Sequence, residues 1–131
     1  MDARAYQPAD RDTCLALLDR RGLSLQRDAF TAALDAADAQ FFILEHEGTF
    51  LGCGGLERAG TSEAELVWGM IHPDWERQGL GRFLLLYRSR LCRAPFLAVT
   101  VADEFAAFYE KAGFRRKNHA GRLVKKMEVC T

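Results

Sequence analysis

The sequence predicts an α+β domain whose sheet is mixed but largely antiparallel. Three observations predict it. QFFILEHEGTFLGCGGLER reads as a hairpin, two strand-forming runs around the turn Glu47-Gly48. Residues 79–93 switch to a helical period. PFLAVTV, an apolar run with the length and β-branching of a buried strand, then completes a strand–helix–strand unit near the middle of the chain.

Each element follows in order. RAYQP forms a short first strand, and Pro8 and Asp10 turn the chain. Asp10 or Asp12 caps a helix through residues 13–18 that ends near Gly22. A second helix runs from about Gln26 to Ala37, with Phe30, Ala33 and Leu34 along one side. Strands 40–46 and 49–57 form the hairpin, and the three glycines of LGCGGL weaken the second strand or mark a bulge. AELVWGMIHP is the next strand, stopped by Pro73. In the helix over 79–93, Leu80, Phe83, Leu84, Tyr87 and Leu91 share a face, while Arg82, Arg88, Arg90 and Arg93 fall mostly elsewhere. DEFAAFYEKAGF is a helix: acids open it, Phe105, Phe108 and Ala112 face inward, and Gly113 stops it. FRRKN and RLVKKMEV finish as two strands around Gly121. Without repeat, low-complexity segment or linker, residues 1–131 read as one domain.

Composition narrows the function. At 49% hydrophobic and 27% charged residues the chain is globular rather than disordered. Lysine plus arginine equals aspartate plus glutamate at 18 each, so nothing pulls the whole chain toward nucleic acid or an anionic membrane. Any anion site must be local. No apolar run approaches the ~20 residues that span a bilayer, and MDARAYQPADRD is no signal peptide, so the expected compartment is the cytoplasm. Cys14, Cys53, Cys92 and Cys130 lie far apart without a Cys-x-x-Cys pair, which argues against a metal site and for reduced thiols.

One local anion site is legible in HPDWERQGLGRFLLLYRSRLC. Gly79 and Gly81 stand where a helix begins. A helix start presents main-chain N–H groups without intrahelical partners, and glycines let the backbone approach an anion closely. Arg77, Gln78 and Arg82 add donors, and a phosphate fits such a nest. The plainer reading is a tight loop whose glycines only satisfy a turn. Neither the P-loop ending Gly-Lys-Ser/Thr nor the third glycine of the dinucleotide fingerprint, Leu84 here, is present.

Ile71-His72-Pro73 followed by Glu76-Arg77-Gln78-Gly79-Leu80-Gly81-Arg82 resembles the Gln/Arg-x-x-Gly-x-Gly/Ala signature of the GNAT acyl-CoA-dependent N-acetyltransferases, with Glu76 in its first position. A second block, Phe108-Tyr109-Glu110-Lys111-Ala112-Gly113-Phe114, looks like the Phe-Tyr-Glu-Lys-x-Gly-Phe segment of the same superfamily. The asparagine often found seven residues before that tyrosine is Ala102. The resemblance implies six to seven strands flanked by about four helices, with parallel strands 64–71 and 96–101 splayed at a cofactor cleft. It implies acetyl-CoA as co-substrate, held by Arg77, Gln78, Gly79, Leu80, Gly81 and Arg82 at its phosphates and by unpaired backbone at Met70 and Ile71 along its pantetheine arm. The Ile71 N–H would polarise the thioester carbonyl.

The chemistry that follows from the resemblance is direct acetyl transfer to a primary amine through a tetrahedral intermediate, without a covalent acetyl-enzyme. An amine such as lysine's, reference pKa about 10.4, must lose a proton before it attacks, and the departing thiolate can use an acid. Tyr109 is the candidate acid, against the alternative that a tyrosine in an aromatic helix turn is core. Glu65 is the candidate base, directly or through a water, against the alternative that Glu63 and Glu65 share a solvent face. His72, His46 and His119 are further proton acceptors by type; Trp68 and Trp75 could wall a pocket, and Arg115-Arg116-Lys117 and Lys125-Lys126 read as a solvated face. The acceptor is a small-molecule or peptide amine of unspecified identity, with neither nucleic acid nor membrane as partner, and the C-terminal strands allow a homodimer. The rival class is a binding module that holds acyl-CoA without turnover.

Overall fold

The computed structural model describes residues 1–58, 60, 62–117 and 121–127; His119 and Cys130 lie outside the described residues. Seven strands form one sheet in the order β1-β2-β3-β4-β5-β7-β6. They are β1 (Asp2–Ala5), β2 (Ala39–His46), β3 (Thr49–Arg58), β4 (Glu63–Ile71), β5 (Phe96–Thr100), β6 (Arg115–Arg116) and β7 (Arg122–Lys126). Four α-helices accompany them: α1 (Arg11–Arg20), α2 (Arg27–Asp35), α3 (Leu80–Leu91) and α4 (Asp103–Lys111). Every pairing is antiparallel except β4 with β5. The expected architecture is present, with the parallel pair at the centre. No described helix is long and apolar enough to cross a membrane.

Period-2 alternation in β2 decides which layer packs where. Phe41 and Ile43 join α1 and α2 on one face, with Cys14, Leu17, Leu18 and Phe30. Phe42 points the other way and packs with Leu85 of α3 and Ala106 of α4. The outermost strand sits tighter to the N-terminus than RAYQP suggested, because Asp2–Ala5 pairs with Phe42–Glu45. Asp10 occupies the N-cap position of α1 without capping it; its carboxylate accepts from the Gln7 N–H at 2.8 Å and from both Arg4 terminal nitrogens at 2.8 Å.

Two expectations about the helices are corrected. Phe105 and Phe108 are 54% and 42% exposed, and the inward residue of α4 is Ala106, joined by Tyr109 and Ala112. On α3 the buried positions are Leu80, Leu84, Leu85 and Arg88. Arg88 therefore lies on the apolar stripe, at spacing 80-84-88, and not on the solvent side with the other arginines. The glycine-rich β3 does contain a register shift opposite β4, and it is β4 that carries the additional residue: Gly55 pairs with Val67, but Cys53 pairs with Met70. Trp68 in that bulge has φ 53°, a left-handed backbone that costs a side-chain-bearing residue of order 1 kcal/mol. Its indole stacks on Phe30 at 5.0 Å between ring centroids, which holds it there.

Candidate functional site: a splayed strand pair beside a helix mouth

The parallel ladder between β4 and β5 runs from Glu63↔Phe96 to Leu66↔Val99 and stops. From Val67 to Ile71, β4 keeps partners only on β3. The bulge at Trp68 turns the strand away from β5, so one edge of β4 opens into a cleft of about 200 Å³. Arg88 and Tyr109 wall it from the α3/α4 face; Leu23, Gln26 and Trp68 wall it from the α1/α2 face.

Backbone direction separates the two predicted strand contacts. His72 donates its N–H to Leu51 O on β3 at 2.8 Å. Successive N–H groups of a strand alternate edges, so that of Ile71 points into the splay and that of Met70 toward β3. Met70 still lines the cleft, through a side chain buried in the α1/α2 core.

The helix mouth stands at the end of the same strand. After a single 3-10 turn at Pro73–Trp75, Arg77 and Gly79 both take left-handed backbone, φ 64° and 77°, and Gly79 is the N-cap of α3. Such alternation turns consecutive N–H groups inward as a nest. Phe83 is the first residue to close an intrahelical bond, to Gly79 O at 3.0 Å. Among the described residues no N–H from Arg77 through Arg82 has a protein acceptor, so six consecutive donors are free. A Cβ built on Gly79 would meet nothing within 4 Å, and one on Gly81 only the Phe108 ring at 3.8 Å. The concavity is open to a ligand. Glu76, the residue that departs from the family pattern, is ion-paired with Arg21 at the end of α1, and Asp74 with Arg20 at 3.2 Å.

Tyr109 is half-buried, edge-on to Phe108 and Phe114 at 5.0 and 5.7 Å. Its neighbours fix the ring while the phenol faces the cleft without a protein hydrogen bond among the described residues. Burial raises its pKa above the ordinary tyrosine value, and the positive charge of Arg88 pulls it partly back. Glu65 lies elsewhere. It sits on the paired stretch of β4, opposite Ala98, and accepts from Arg122 Nη1 at 2.8 Å, while Arg122 also holds Glu63. The shared parity of the two glutamates thus serves a shared arginine, and Glu65 is not among the cleft walls. His72 Nδ1 accepts from the Asp74 N–H at 3.2 Å at the rim, His46 is exposed on the hairpin, and Lys125 donates to the Ala112 carbonyl at 2.7 Å, closing the end of α4.

Arg88 is the residue the sequence reading missed. It is 3% exposed, and Nη1 donates to Gly55 O at 2.9 Å and Val67 O at 3.3 Å, with Nε near its own Leu84 O at 3.4 Å. No carboxylate pairs with it among the described residues. Burial lowers its pKa to about 10, so it remains charged at neutral pH. The signal was available: an arginine at i+4 from Leu84 on the stripe, facing a strand stripped to glycine at 52, 54 and 55.

Comparison with known proteins agrees with this geometry. Residues 37–116, more than half of the chain, match the family model "Acetyltransferase (GNAT) domain". Among solved structures, the chain resembles the ribosomal-protein-S18-alanine N-acetyltransferase from Escherichia coli with TM-score 0.83 at 19% identity, over 99% of this chain and 96% of that one. The PaiA N-acetyltransferase from Thermoplasma acidophilum, solved with coenzyme A, gives TM-score 0.76 at 16% identity over 97% and 100% of the two chains. An aminoglycoside 6′-N-acetyltransferase complexed with coenzyme A gives TM-score 0.81 at 12% identity over 100% and 99%. At these identities the shared property is the fold. No curated protein matches the sequence significantly.

Proposed function

The chain belongs to the GNAT acetyltransferase family, and from that premise we propose that it transfers an acetyl group from acetyl-CoA directly to the primary amine of a small molecule or peptide. The observation that carries the reading is the set of six free N–H groups from Arg77 to Arg82, at the mouth of α3 and next to an unpaired strand edge. A pyrophosphate supplies the acceptors those donors lack, with Gly79, Leu80 and Gly81 lending backbone and Arg77, Gln78 and Arg82 adding side-chain donors.

On this reading the pantetheine arm lies along β4 in the splay. The Ile71 N–H, aimed away from β3, donates to the thioester carbonyl and opposes the charge that develops there. Tyr109 holds a proton for the departing sulfur: a phenol kept neutral by burial is a donor at the pH where an amine is being deprotonated. The acceptor approaches from the α1/α2 face, past Leu23, Gln26 and Trp68. Proton removal from the amine falls to Glu65 through a water chain, because Arg122 engages its carboxylate outside the cleft.

Calorimetry with acetyl-CoA, followed by thiol release across amino acids, polyamines, aminoglycosides and peptides, tests the proposal. Binding with acceptor-dependent thiol release is the expected result. Absence of binding refutes it, and tight binding without any acceptor assigns the chain to the non-catalytic acyl-CoA modules instead.

A further inference from the structure

Resting on the acetyl-transfer reading, the inference concerns the one charge in the cleft to which that reading gives no task. We propose that Arg88 is a catalytic residue: the free Nη2 edge of its guanidinium donates hydrogen bonds to the thioester sulfur as that atom becomes a thiolate, beside the Tyr109 hydroxyl.

The fold makes room for this guanidinium. A Cβ on Gly54 would stand 3.1 Å from Arg88 Cζ and 3.2 Å from Nε, and a Cβ on Gly69 would stand 2.9 Å from Nη2. Any side chain at either position displaces the arginine. Both glycines have ordinary negative-φ backbone, so neither is required by the turn geometry. Their role is the space they leave.

The rest of the side chain is anchored. Nη1 bridges the carbonyls of the registered pair Gly55 and Val67, on the last rung before the bulge. That contact fixes the guanidinium plane and sends Nη2 along the opening strand edge at Gly69. Among the described residues Nη2 has no hydrogen-bond partner, yet it is not one of the sealed polar atoms, so its N–H groups face the cleft. A structural clamp accounts for Nη1 alone. A full positive charge with an empty donor edge, buried and without a carboxylate, calls for an anion from outside the chain.

The reaction supplies one at this place. The amine nitrogen bonds to the carbonyl carbon, the C–S bond breaks, and its electron pair departs on sulfur. Arg88 keeps all its protons and stabilises that pair; Tyr109 gives its proton to sulfur and regains one from the proton that the amine releases through solvent. Arg88 and Tyr109 are the titratable groups lining the cleft. Behind Arg88, on β3, Cys53 is fully buried, and its contact with Cys14 and its burial keep it a neutral thiol. Glu63 and Glu65 are engaged by Arg122.

The wild-type complex with coenzyme A tests this directly, by titrating thiolate absorbance with the dethio-coenzyme A complex as blank. The bound thiol should ionise at least one pH unit below a reference thiol near 8.5. In Arg88→Met that shift should vanish, and kcat should fall about a hundredfold, as for loss of one donor to a developing anion, with KM for acetyl-CoA within threefold. Millimolar guanidinium, but not sodium at equal ionic strength, should restore part of the turnover of Arg88→Ala. A bound wild-type thiol with an unshifted or raised pKa overturns the proposal, and so does a folded Arg88→Met with full kcat. Should the variants not fold, the wild-type titration decides alone. If coenzyme A does not bind at all, the acetyl-transfer reading itself falls, and Arg88's role with it.

Discussion

Replacing Gly81 by glutamate separates the stability of the helix mouth from its capacity to bind. Gly81 is the second residue of α3 and has ordinary helical φ, and an added Cβ meets only Phe108 at a comfortable 3.8 Å. The free protein therefore accepts a side chain there. Glycine costs about 1 kcal/mol relative to a good helix former, and a carboxylate in the first turn adds roughly 0.3–1 kcal/mol through the helix dipole. The Tm of the free protein should hold or rise by about 4 °C, the shift that ~1 kcal/mol produces in a domain of this size. Binding should move the opposite way. A carboxylate about 4 Å from one phosphate charge costs about 4 kcal/mol at an effective dielectric constant of 20, roughly a thousandfold in affinity. Scanning calorimetry and titration calorimetry with acetyl-CoA read the two effects separately. Gly79→Ala should reverse the stability sign, because φ 77° strains any residue with a Cβ. A Gly81→Glu protein that is as stable as expected and still binds acetyl-CoA with wild-type affinity refutes the phosphate assignment.

Three further outcomes follow from the same geometry. Tyr109→Phe keeps the ring packing with Phe108 and Phe114, so kcat should fall about a hundredfold, the usual range for a positioned acid, while calorimetric affinity for acetyl-CoA changes less than about twofold. Ala102 is the N-cap of α4 with extended backbone and no side-chain cap, so Ala102→Asn should raise Tm by about 4 °C, reflecting the ~1 kcal/mol of a typical cap. The Asp10 carboxyl is held below its ordinary pKa, first by the Arg4 hydrogen bond, so its stabilisation is intact above about pH 4 and disappears as pH falls below that. Asp10→Asn should accordingly be less stable than wild type near neutrality by denaturant titration, with the two converging in acid.

What could be read beforehand divides by the range of the interaction. Strand and helix order, the parallel pair and the helix mouth rest on local periodicity and on glycine placement, and both are written in consecutive residues. Which side of α4 faces inward was not readable, because Phe105 and Phe108 are the larger apolar residues and only the position of the sheet selects Ala106 and Tyr109. The bulge at Trp68 was assigned no position, since a left-handed tryptophan is held by Phe30 on a distant helix. Glu65 and Arg122 are 57 residues apart, and nothing along the chain announces that they meet. Arg88 stands between these cases: its spacing is local, but the vacancy that receives it comes from glycines on two other strands.

The two departures from the family pattern are handled in different ways, and both bear on how a chain of zero net charge presents an anion site. Glu76 brings a carboxylate to the loop where phosphate is to be held, which by itself would oppose binding. Arg21 neutralises it, and Arg20 does the same for Asp74, so the α1 terminus supplies two cations to the loop's two acids. The field left at the mouth of α3 is then set by Arg77, Arg82 and the free N–H groups. These contacts also tie the α1/α2 layer, which walls the acceptor side, to the loop proposed to hold the donor. Ala102 has no comparable substitute, since the cap of α4 is left open. The compensated departure changes charge, and the uncompensated one removes a single hydrogen bond. A long-range term can be cancelled by a distant arginine, whereas a missing short-range donor can be replaced only at the same place.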